Sequence, residues 1–342
     1  KAAKVIESDS EWDQLVAKHA DATVFHTSAW SRVLRETYRH EPLRLRFTAE
    51  SRTDGLIALH EVRSAITGRR GVSLPFSDLC PPLGIGESND QTLVQEIAAL
   101  ADERKWEYFE LRGAAFLRKI APSAANFYGH TLDLTPGFDE IEEQFAPAVG
   151  RNIRKARRSE VRVEITRTEE AILQFYGLLA RTRRRHGVPP QSRRFFRNIY
   201  RHLLKPGLGF VALAHRHGTA IAGAVFFQFG ANAVYKFGAS DERQQEFRAN
   251  NLVMREAIRH LSVSGARNLH FGRTAVDNDG LRRFKLAWGA QEEMIDYFRF
   301  ERASGSWSTA EPDLAGRARR VFQHLPLAVN RLIGTIAYPH LD

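Results

Sequence analysis

The feature that most constrains the fold of this chain is a pattern of helix, short break and strand that occurs twice. In the first half, an amphipathic helix with Leu93 and Ile97 on one side precedes a strand-like run over residues 108–111. In the second half, a helix over residues 251–264 precedes a run over residues 268–271, and a Gly and an Arg adjoin each run. Helices alternating with strands predict an α/β (α+β) fold with a mixed twisted sheet flanked by helices. The repetition predicts a duplicated domain.

The segments around these two copies fit the same architecture. Further strand-like runs are predicted from apolar and alternating patterns at residues 43–47, 56–62, 209–214, 220–229 and 234–237. Further helices are predicted from apolar periodicity and capping residues at residues 11–19, 28–38, 169–184 and 193–204.

Length and composition narrow the class of protein. A chain of 342 residues with 43% hydrophobic residues can form two domains with sizeable cores. Its longest apolar runs, such as residues 220–229, are far shorter than the ~20 residues of a transmembrane helix. The single cysteine, Cys80, excludes an internal disulfide and a metal site built on several thiolates. We therefore expect a soluble cytoplasmic protein with no metal and no tightly bound cofactor.

Positive charge is concentrated in one stretch of the chain. The formal net charge is +10, and residues 151–205 hold sixteen Arg and Lys against four acidic residues, a net of +12. The rest of the chain is therefore close to neutral. Such a basic segment predicts an anionic partner, namely tRNA or another RNA, a nucleotide-linked precursor or an anionic lipid surface. A solvated helical face is the alternative interpretation.

Three segments resemble signatures of FemAB-like transferases and occur in the order that this family has. Residues 24–30 are similar to the opening Phe-x-Gln-(Ser/Thr)-x-x-Trp, with His26 where the family often has Gln. Residues 150–156 resemble the junction that opens the second half, and residues 271–290 resemble the closing Gly-Leu-x-x-Phe-Lys-x-x-(Trp/Phe)-Gly motif. The similarity is greatest to bacterial FemAB-related proteins associated with exopolysaccharide loci.

This resemblance implies two tandem GNAT-like domains, expected at residues 1–145 and 146–302. The remaining residues, 303–342, are expected to form a helical segment. Their sequence has an amphipathic pattern that Pro326 divides or kinks. We expect this segment to pack back on the first domain. A peripheral contact with the inner membrane surface is the alternative.

The resemblance also implies an activity, which is transfer of an acyl or aminoacyl group to an amine of a cell-envelope or exopolysaccharide precursor. The donor would be a co-substrate, either aminoacyl-tRNA or an acyl thioester such as acyl-CoA. Such a transfer needs alignment, a proton acceptor and charge stabilisation, but no covalent enzyme intermediate. The sequence accordingly contains no nucleophile motif. A non-catalytic protein that binds RNA or an anionic surface on the same scaffold is the alternative.

Candidate site residues follow from the family motifs and the strand pattern. Lys285 is the expected catalytic residue, because Phe284 and Trp288 can anchor its helix while Lys285 projects into a groove and stabilises developing charge. The turn at residues 243–251 contains no glycine, which argues against the usual GNAT site for the CoA pyrophosphate in the second half. The expected substrate-binding residues are His26, Trp30, Arg151, Asn152, Arg154, Lys155, Tyr235, Lys236, Asn251 and Arg273.

Overall fold

The structure is a computed structural model that describes residues 3–47, 55–85, 90–309, 322–323 and 325–341. Its strands are β1 (Lys4–Val5), β2 (Glu41–Phe47), β3 (Gly55–Ser64), β4 (Gly68–Ser73), β5 (Tyr108–Arg112), β6 (Ala125–Asp133), β7 (Arg162–Thr166), β8 (Gly209–Arg216), β9 (Thr219–Phe229), β10 (Asn232–Ser240), β11 (Asn268–His270), β12 (Thr274–Ala275), β13 (Gln291–Glu301) and β14 (Ser306–Trp307). Its α-helices are α1 (Asp9–Val16), α2 (Ser28–Tyr38), α3 (Asp90–Arg104), α4 (Phe138–Glu143), α5 (Pro147–Arg158), α6 (Glu169–Arg185), α7 (Arg193–Ile199), α8 (Ala249–Val263), α9 (Asp279–Leu286) and α10 (Leu327–Ala337).

The chain divides into two compact units, and the division differs from the boundary expected after residue 145. The first unit ends at residue 128 and regains residues 294–312 because β13 pairs with β5, where Tyr297 lies opposite Arg112. The first unit comprises residues 1–128, 294–312 and 337–342, and the second comprises residues 129–293 and 313–336.

In the first unit, strands β1 to β4 pair antiparallel in sequence order, with α1 and α2 between β1 and β2, and β5 then pairs in parallel with β4. Two parallel strands cannot be joined by a tight turn, so the chain needs a crossover, and α3 supplies it. Burial of the apolar side of α3 against the sheet stabilises this arrangement. The resulting core includes Leu43, Leu45, Ile57, Leu59, Leu93, Ile97, Trp106, Phe109, Leu111 and Phe298.

The second unit repeats this order. Strands β7 to β10 pair antiparallel in sequence order, with α6 and α7 between β7 and β8. Helix α8 provides the crossover, and β11 pairs in parallel with β10. Residues 131–133 of β6 complete the sheet by pairing antiparallel with β11. The two halves therefore share one pattern of strand pairing, and the predicted duplicated α/β fold is confirmed.

The sheet of the second unit has helices on both faces. Residues Phe210, Ala212 and Ala214 of β8 pack into the core that contains the buried side of α5 and α8. The alternate residue Leu213 points to the opposite face, where it lies beside Phe175 of α6 at Gly223. The basic residues of α5 and those of α6 consequently belong to helices on opposite faces. The basic segment over residues 151–205 does not form one continuous helical face.

The C-terminal residues belong to both units. Part of the expected helix, residues 310–321, lies outside the described residues, while α10 begins directly after Pro326. A final 3-10 helix, Tyr338–His340, packs in the first unit, where His40 donates to the carbonyl oxygen of Pro339 over 3.1 Å. In the described part of the chain, no helix is both long and apolar enough to cross a membrane.

Candidate active site

A cavity of about 260 Å³ lies along the middle of β9 and the second half of β10 in the second unit, and we call it the groove. Gly223 and Ala224 of β9 are part of its lining. The walls are mainly apolar and come from β10, α8 and α9. They include Tyr235, Val253, Met254, Leu281 and Phe284. An apolar cavity of this size, with few polar groups, is typical of a site for a small organic group.

A β-bulge in β10 sets the direction of Tyr235. Tyr235 lies opposite Phe226 and Phe237 lies opposite Val225, so Lys236 is the extra residue on the bulged strand. Bulges of this kind redirect side chains and occur often beside active sites. The absence of a side chain at Gly238 is required here, because a Cβ at that position would overlap the Tyr235 hydroxyl.

The Tyr235 hydroxyl is one of the polar groups of the groove, whose lining also includes Thr182, Arg185, Ser240, Gln245 and Asn250. Burial raises the pKa of Tyr235 to about 12, so the phenol keeps its proton at neutral pH. The hydroxyl makes no hydrogen bond to another described residue, while its ring packs against Phe226 at 5.4 Å and Phe271 at 6.2 Å between centroids. A protonated phenol held in this way can donate a hydrogen bond to a carbonyl oxygen of a bound group.

A larger depression of about 680 Å³ adjoins the groove, and we call it the mouth. It shares Thr182, Arg185 and Ser240 with the groove, and the Thr182 hydroxyl donates to the Ser240 carbonyl oxygen over 3.1 Å. Its charged residues are Arg181, Arg184, Arg185 and Arg243 against Asp241 and Glu242. The excess of guanidinium groups makes the mouth suitable for an anionic group.

The start of α8 borders both regions. Residues 242–247 form a 3-10 helix rather than an open turn, and Arg248 follows in the left-handed conformation with φ of 55°. No side chain caps α8, and Asn250 and Asn251 line a small cavity of about 110 Å³ at its first turn. The segment predicted to lack a glycine-rich phosphate turn is therefore a compact helical turn. That the second unit does not bind CoA through the usual GNAT phosphate turn stays a prediction.

Lys285 does not project into an open groove, contrary to the expectation from sequence. Its side chain is 1% exposed, and its ammonium donates to the carbonyl oxygens of Gly272 over 2.7 Å and Arg273 over 3.1 Å. Phe284, one position earlier, lines the groove instead. Trp288 is buried against Phe145, as the predicted anchoring role requires. Lys285 faces the chain after β11 because successive helical residues point about 100° apart.

A polar cluster that the sequence did not reveal lies behind α9. Arg282 donates two hydrogen bonds of 2.7 Å to Glu292, and the buried His130 lies 3.0 Å from the same carboxylate through Nε2. Burial, with the Lys285 charge nearby, lowers the pKa of His130, while the hydrogen bonds from Arg282 lower the pKa of Glu292. A neutral His130 therefore donates to a charged Glu292. Strand β13 was not predicted, so its Glu292 could not be paired with α9.

In the first unit, the structure places His26 and Trp30 in the core rather than on a surface. His26 is 1% exposed and Trp30 is fully buried, with its ring edge against Phe25. The His26 Nδ1 accepts from the backbone N–H of Thr23 over 3.0 Å, and Nε2 donates to the Pro81 carbonyl oxygen over 2.9 Å. A glutamine, with one acceptor and one donor, offers the same two bonds. This explains how His26 can stand where the related family often has Gln.

The remaining expected substrate residues divide between the groove and other surfaces. Asn251 and Tyr235 border the groove region, but Lys236 packs its ammonium 5.6 Å above the ring of Phe237. Arg273 is exposed and contributes its carbonyl oxygen to Lys285. Another set lies on α5 and lines none of the three cavities described above: Arg151, Asn152, Arg154 and Lys155.

A separate basic depression of about 530 Å³ lies at the end of α5. It is lined by Arg157, Arg162, His215 and His217, with Glu160 as its acidic residue. The predicted basic segment thus supplies two distinct positive regions, one beside α5 and one at the mouth. Within the described residues, no group of three or more His, Cys, Asp or Glu side chains could hold a metal ion.

Comparison with known proteins agrees with this architecture. Residues 145–289 match the model of the acetyltransferase (GNAT) domain family, which makes the second half of the chain a GNAT domain. FemX has a similar fold over 86% of this chain and 96% of its own, with a TM-score of 0.68 and 15% identity. Residues 145–289 thus match a GNAT domain, and most of the chain shares its fold with FemX.

Two further solved structures have the same fold. L-PGS from Bacillus licheniformis, a lysylphosphatidylglycerol synthetase, aligns over 96% of this chain and 97% of its own, with a TM-score of 0.53 and 10% identity. A tandem GNAT protein from the clavulanic acid biosynthesis pathway aligns over 88% and 98%, with a TM-score of 0.53 and 12% identity. No protein among the curated sequences matches this chain. The predicted tandem GNAT-like architecture is confirmed.

Proposed function

We propose that this protein transfers an acyl or aminoacyl group from an activated donor to an amine of a cell-envelope or exopolysaccharide precursor, and that the transfer takes place in the groove. The observation that carries this proposal is the Tyr235 hydroxyl, which is protonated and free of other described hydrogen-bond partners within apolar walls. The GNAT match over residues 145–289 supports acyl transfer as the class of reaction. The name lysylphosphatidylglycerol synthetase, which structural neighbours of this chain carry, supports an aminoacyl group as cargo.

The groups of the groove suit the steps of such a transfer. The amine nitrogen attacks the carbonyl carbon of the donor, and the new C–N bond forms as the bond to the leaving oxygen or sulfur breaks. The amine loses a proton, and the leaving hydroxyl or thiol gains one. In this step Tyr235 donates a hydrogen bond to the carbonyl oxygen, on which negative charge develops. The apolar walls exclude water and thereby limit hydrolysis of the donor.

The mouth and the basic surface of α5 suit an anionic carrier. A donor on tRNA or CoA and a nucleotide-linked acceptor all carry phosphates, which guanidinium groups bind in a bidentate manner. Arg181, Arg184 and Arg243 border the entrance to the groove, so a phosphate bound there would leave its attached group near Tyr235. Lys285 holds the chain after β11 in place and thereby positions Phe284 in the wall of the groove.

The proposal is tested by incubating the protein with aminoacyl-tRNA or acyl-CoA donors and amine acceptors, followed by mass spectrometry of the products. We expect a product heavier by one acyl or aminoacyl group, and a loss of that product in Tyr235→Phe. A protein that forms no product with any donor but binds tRNA tightly would favour the alternative of a non-catalytic RNA-binding protein. The observation behind this alternative is the second basic depression at α5, which lies outside the groove.

A further inference from the structure

The outer face of α10 is apolar, which is unusual for a helix on a protein surface. Leu332 is 60% exposed, Ile336 is 59% exposed and Val329 is 40% exposed. The other exposed residues on this helix, Ala328 and Thr335, carry no charge. A surface helix ordinarily turns its apolar side to the core and its charged side to water. On α10 the exposed side is apolar instead.

Contacts on the inner face keep α10 in this orientation. Asn330 is fully buried, and its amide donates to the Phe322 carbonyl oxygen over 2.7 Å. Gly334 packs so closely that a Cβ there would overlap the Pro190 carbonyl oxygen, and the Arg331 guanidinium lies 5.2 Å above the Tyr176 ring. Turning the helix to bury Leu332 would break all three contacts. Exposure of the apolar face is therefore a stable property of this unit.

Positive charge adjoins the N-terminal end of α10. Leu327, the first residue of the helix, is on the same side as Gly334 and lines the mouth together with Arg181, Arg184 and Arg243. A surface that combines apolar side chains with adjoining arginines suits a bilayer, where acyl chains accept the apolar groups and anionic headgroups attract the cations. In a symmetric dimer the same patch would occur on both partners and would bring like charges together. A bilayer fits this surface better than a second copy of the chain.

We propose that the outer face of α10 and the arginines of the mouth dock this protein on an anionic lipid bilayer. Val329, Leu332 and Ile336 enter the interface between headgroups and acyl chains, while Arg181, Arg184 and Arg243 contact the headgroups. The mouth then opens at the lipid surface. If the proposed function holds, the groove receives a substrate that is anchored in the membrane, rather than one that diffuses freely in water.

Vesicle co-sedimentation of the full chain tests this proposal without relying on activity. Binding is measured with vesicles of phosphatidylcholine alone and with vesicles of equimolar phosphatidylcholine and phosphatidylglycerol, over a range of salt concentrations. The test variant carries Val329→Gln, Leu332→Gln and Ile336→Gln, because glutamine keeps the helix propensity. The matched control carries Ile66→Gln, Ile120→Gln and Val263→Gln, three exposed apolar residues outside α10. Circular dichroism and thermal unfolding check that both variants are folded.

We expect the wild type and the control variant to bind the anionic vesicles, with binding that weakens as salt rises. The α10 variant should bind at least roughly tenfold more weakly, since three apolar groups no longer leave water. Reversal of charge at Arg181 and Arg184 should reduce the preference for the anionic vesicles. Equal binding by the wild type and the α10 variant would overturn the proposal. So would a dimer in solution that the α10 substitutions dissociate while vesicle binding is absent. Because the measurement involves no transfer reaction, either result leaves the proposed function to be judged separately.

Discussion

Lys285 donates a hydrogen bond of 2.7 Å from its ammonium to the carbonyl oxygen of Gly272, and this bond connects α9 to the end of β11. The neighbouring Phe284 forms part of the groove wall, so the same bond also sets the shape of the groove. A lysine that is 1% exposed and occupied by two carbonyl oxygens has little access to a substrate. We therefore regard Lys285 as a positioning residue for the proposed reaction, and the sequence-based expectation of direct charge stabilisation is revised.

Replacement of Lys285 by methionine should lower both turnover and stability. Methionine keeps the apolar stem but cannot donate, so two buried carbonyl oxygens lose a partner, at a cost of about 1–3 kcal/mol in the free energy of unfolding. We expect turnover to fall as well, because Phe284 is no longer held in the groove wall, but by less than the roughly 10²–10³ that follows the loss of a direct oxyanion donor. Chemical denaturation and a transfer assay measure the two effects. Lys285→Arg keeps the charge and the donors and should recover part of both, whereas unchanged stability in Lys285→Met would contradict the positioning role.

Replacement of Tyr235 by phenylalanine should affect the reaction much more than the fold. The ring contacts with Phe226 and Phe271 remain, and the hydroxyl has no described partner to lose. Loss of one donor to a developing oxyanion costs roughly 10²–10³ in turnover in other enzymes, so we expect a decrease of that order in kcat. Tyr200→Phe, on a half-buried tyrosine that lines none of the described cavities, is the matched control. Normal kcat in Tyr235→Phe would rule out its proposed role.

Stability should decrease as pH falls from about 6.5 to 4, and His26 should contribute to this loss. Burial lowers the pKa of His26 to about 4 in the folded protein, against 6.5 in the unfolded chain, so the unfolded chain binds the proton first. The stabilising contribution is complete above 6.5 and is lost through this range, by on the order of 3 kcal/mol. Denaturation curves at several pH values measure it. In His26→Gln the two hydrogen bonds can persist without titration, so a pH dependence as steep as in the wild type would refute the assignment.

Charge reversal on α5 should weaken binding of tRNA without unfolding the protein. Arg154, Lys155, Arg157 and Arg158 are exposed, and Arg157 makes a surface ion pair of 3.5 Å with Glu256. Such pairs contribute little to stability. Filter binding of uncharged tRNA over a salt series should show weaker binding in the variant and a shallower salt dependence.

The matched control for this experiment reverses a second group of four exposed basic residues in and after α7. These residues are Arg193, Arg194, Arg197 and Arg201. If both sets of substitutions weaken tRNA binding equally, total charge rather than the α5 surface determines the affinity. If neither set has an effect, the basic segment is a solvated surface.

The second unit should not bind CoA through the usual GNAT phosphate turn. Residues 242–247 form a 3-10 helix with no glycine, and Arg248 occupies the left-handed conformation just before α8. A pyrophosphate would need several backbone N–H groups converging at this point. Any CoA that calorimetric titration detects should therefore place its pyrophosphate elsewhere, such as at the arginines of the mouth. Tight binding, with a structure that places the pyrophosphate at Asn250 and Asn251, would disprove the prediction.

Several features of this protein follow from the sequence because they depend on local interactions. Helix α2 was predicted within its observed bounds, and α6 to within one residue, because apolar periodicity and a capping threonine act over a few neighbouring residues. The duplicated crossovers were also predictable, since a helix between two strand-like runs is itself a local pattern. Burial of Cys80 and of Trp288 follows from their apolar character. The closing motif resembles that of FemAB-like proteins, and the chain has the fold that this resemblance implied.

The tertiary structure alone determined which of these elements share a site. Strand β13 brings Glu292 to Arg282 and His130, although 162 residues separate His130 from Glu292 along the chain. The sequence placed Lys285 at the groove and left Tyr235 as one of several polar residues, whereas packing buries Lys285 and exposes Tyr235 to the cavity. The direction of a side chain at a bulge or on a short helix depends on contacts with distant strands. The residues that neighbour such a side chain in the sequence do not specify those contacts, because the contacts form only when distant strands pack together.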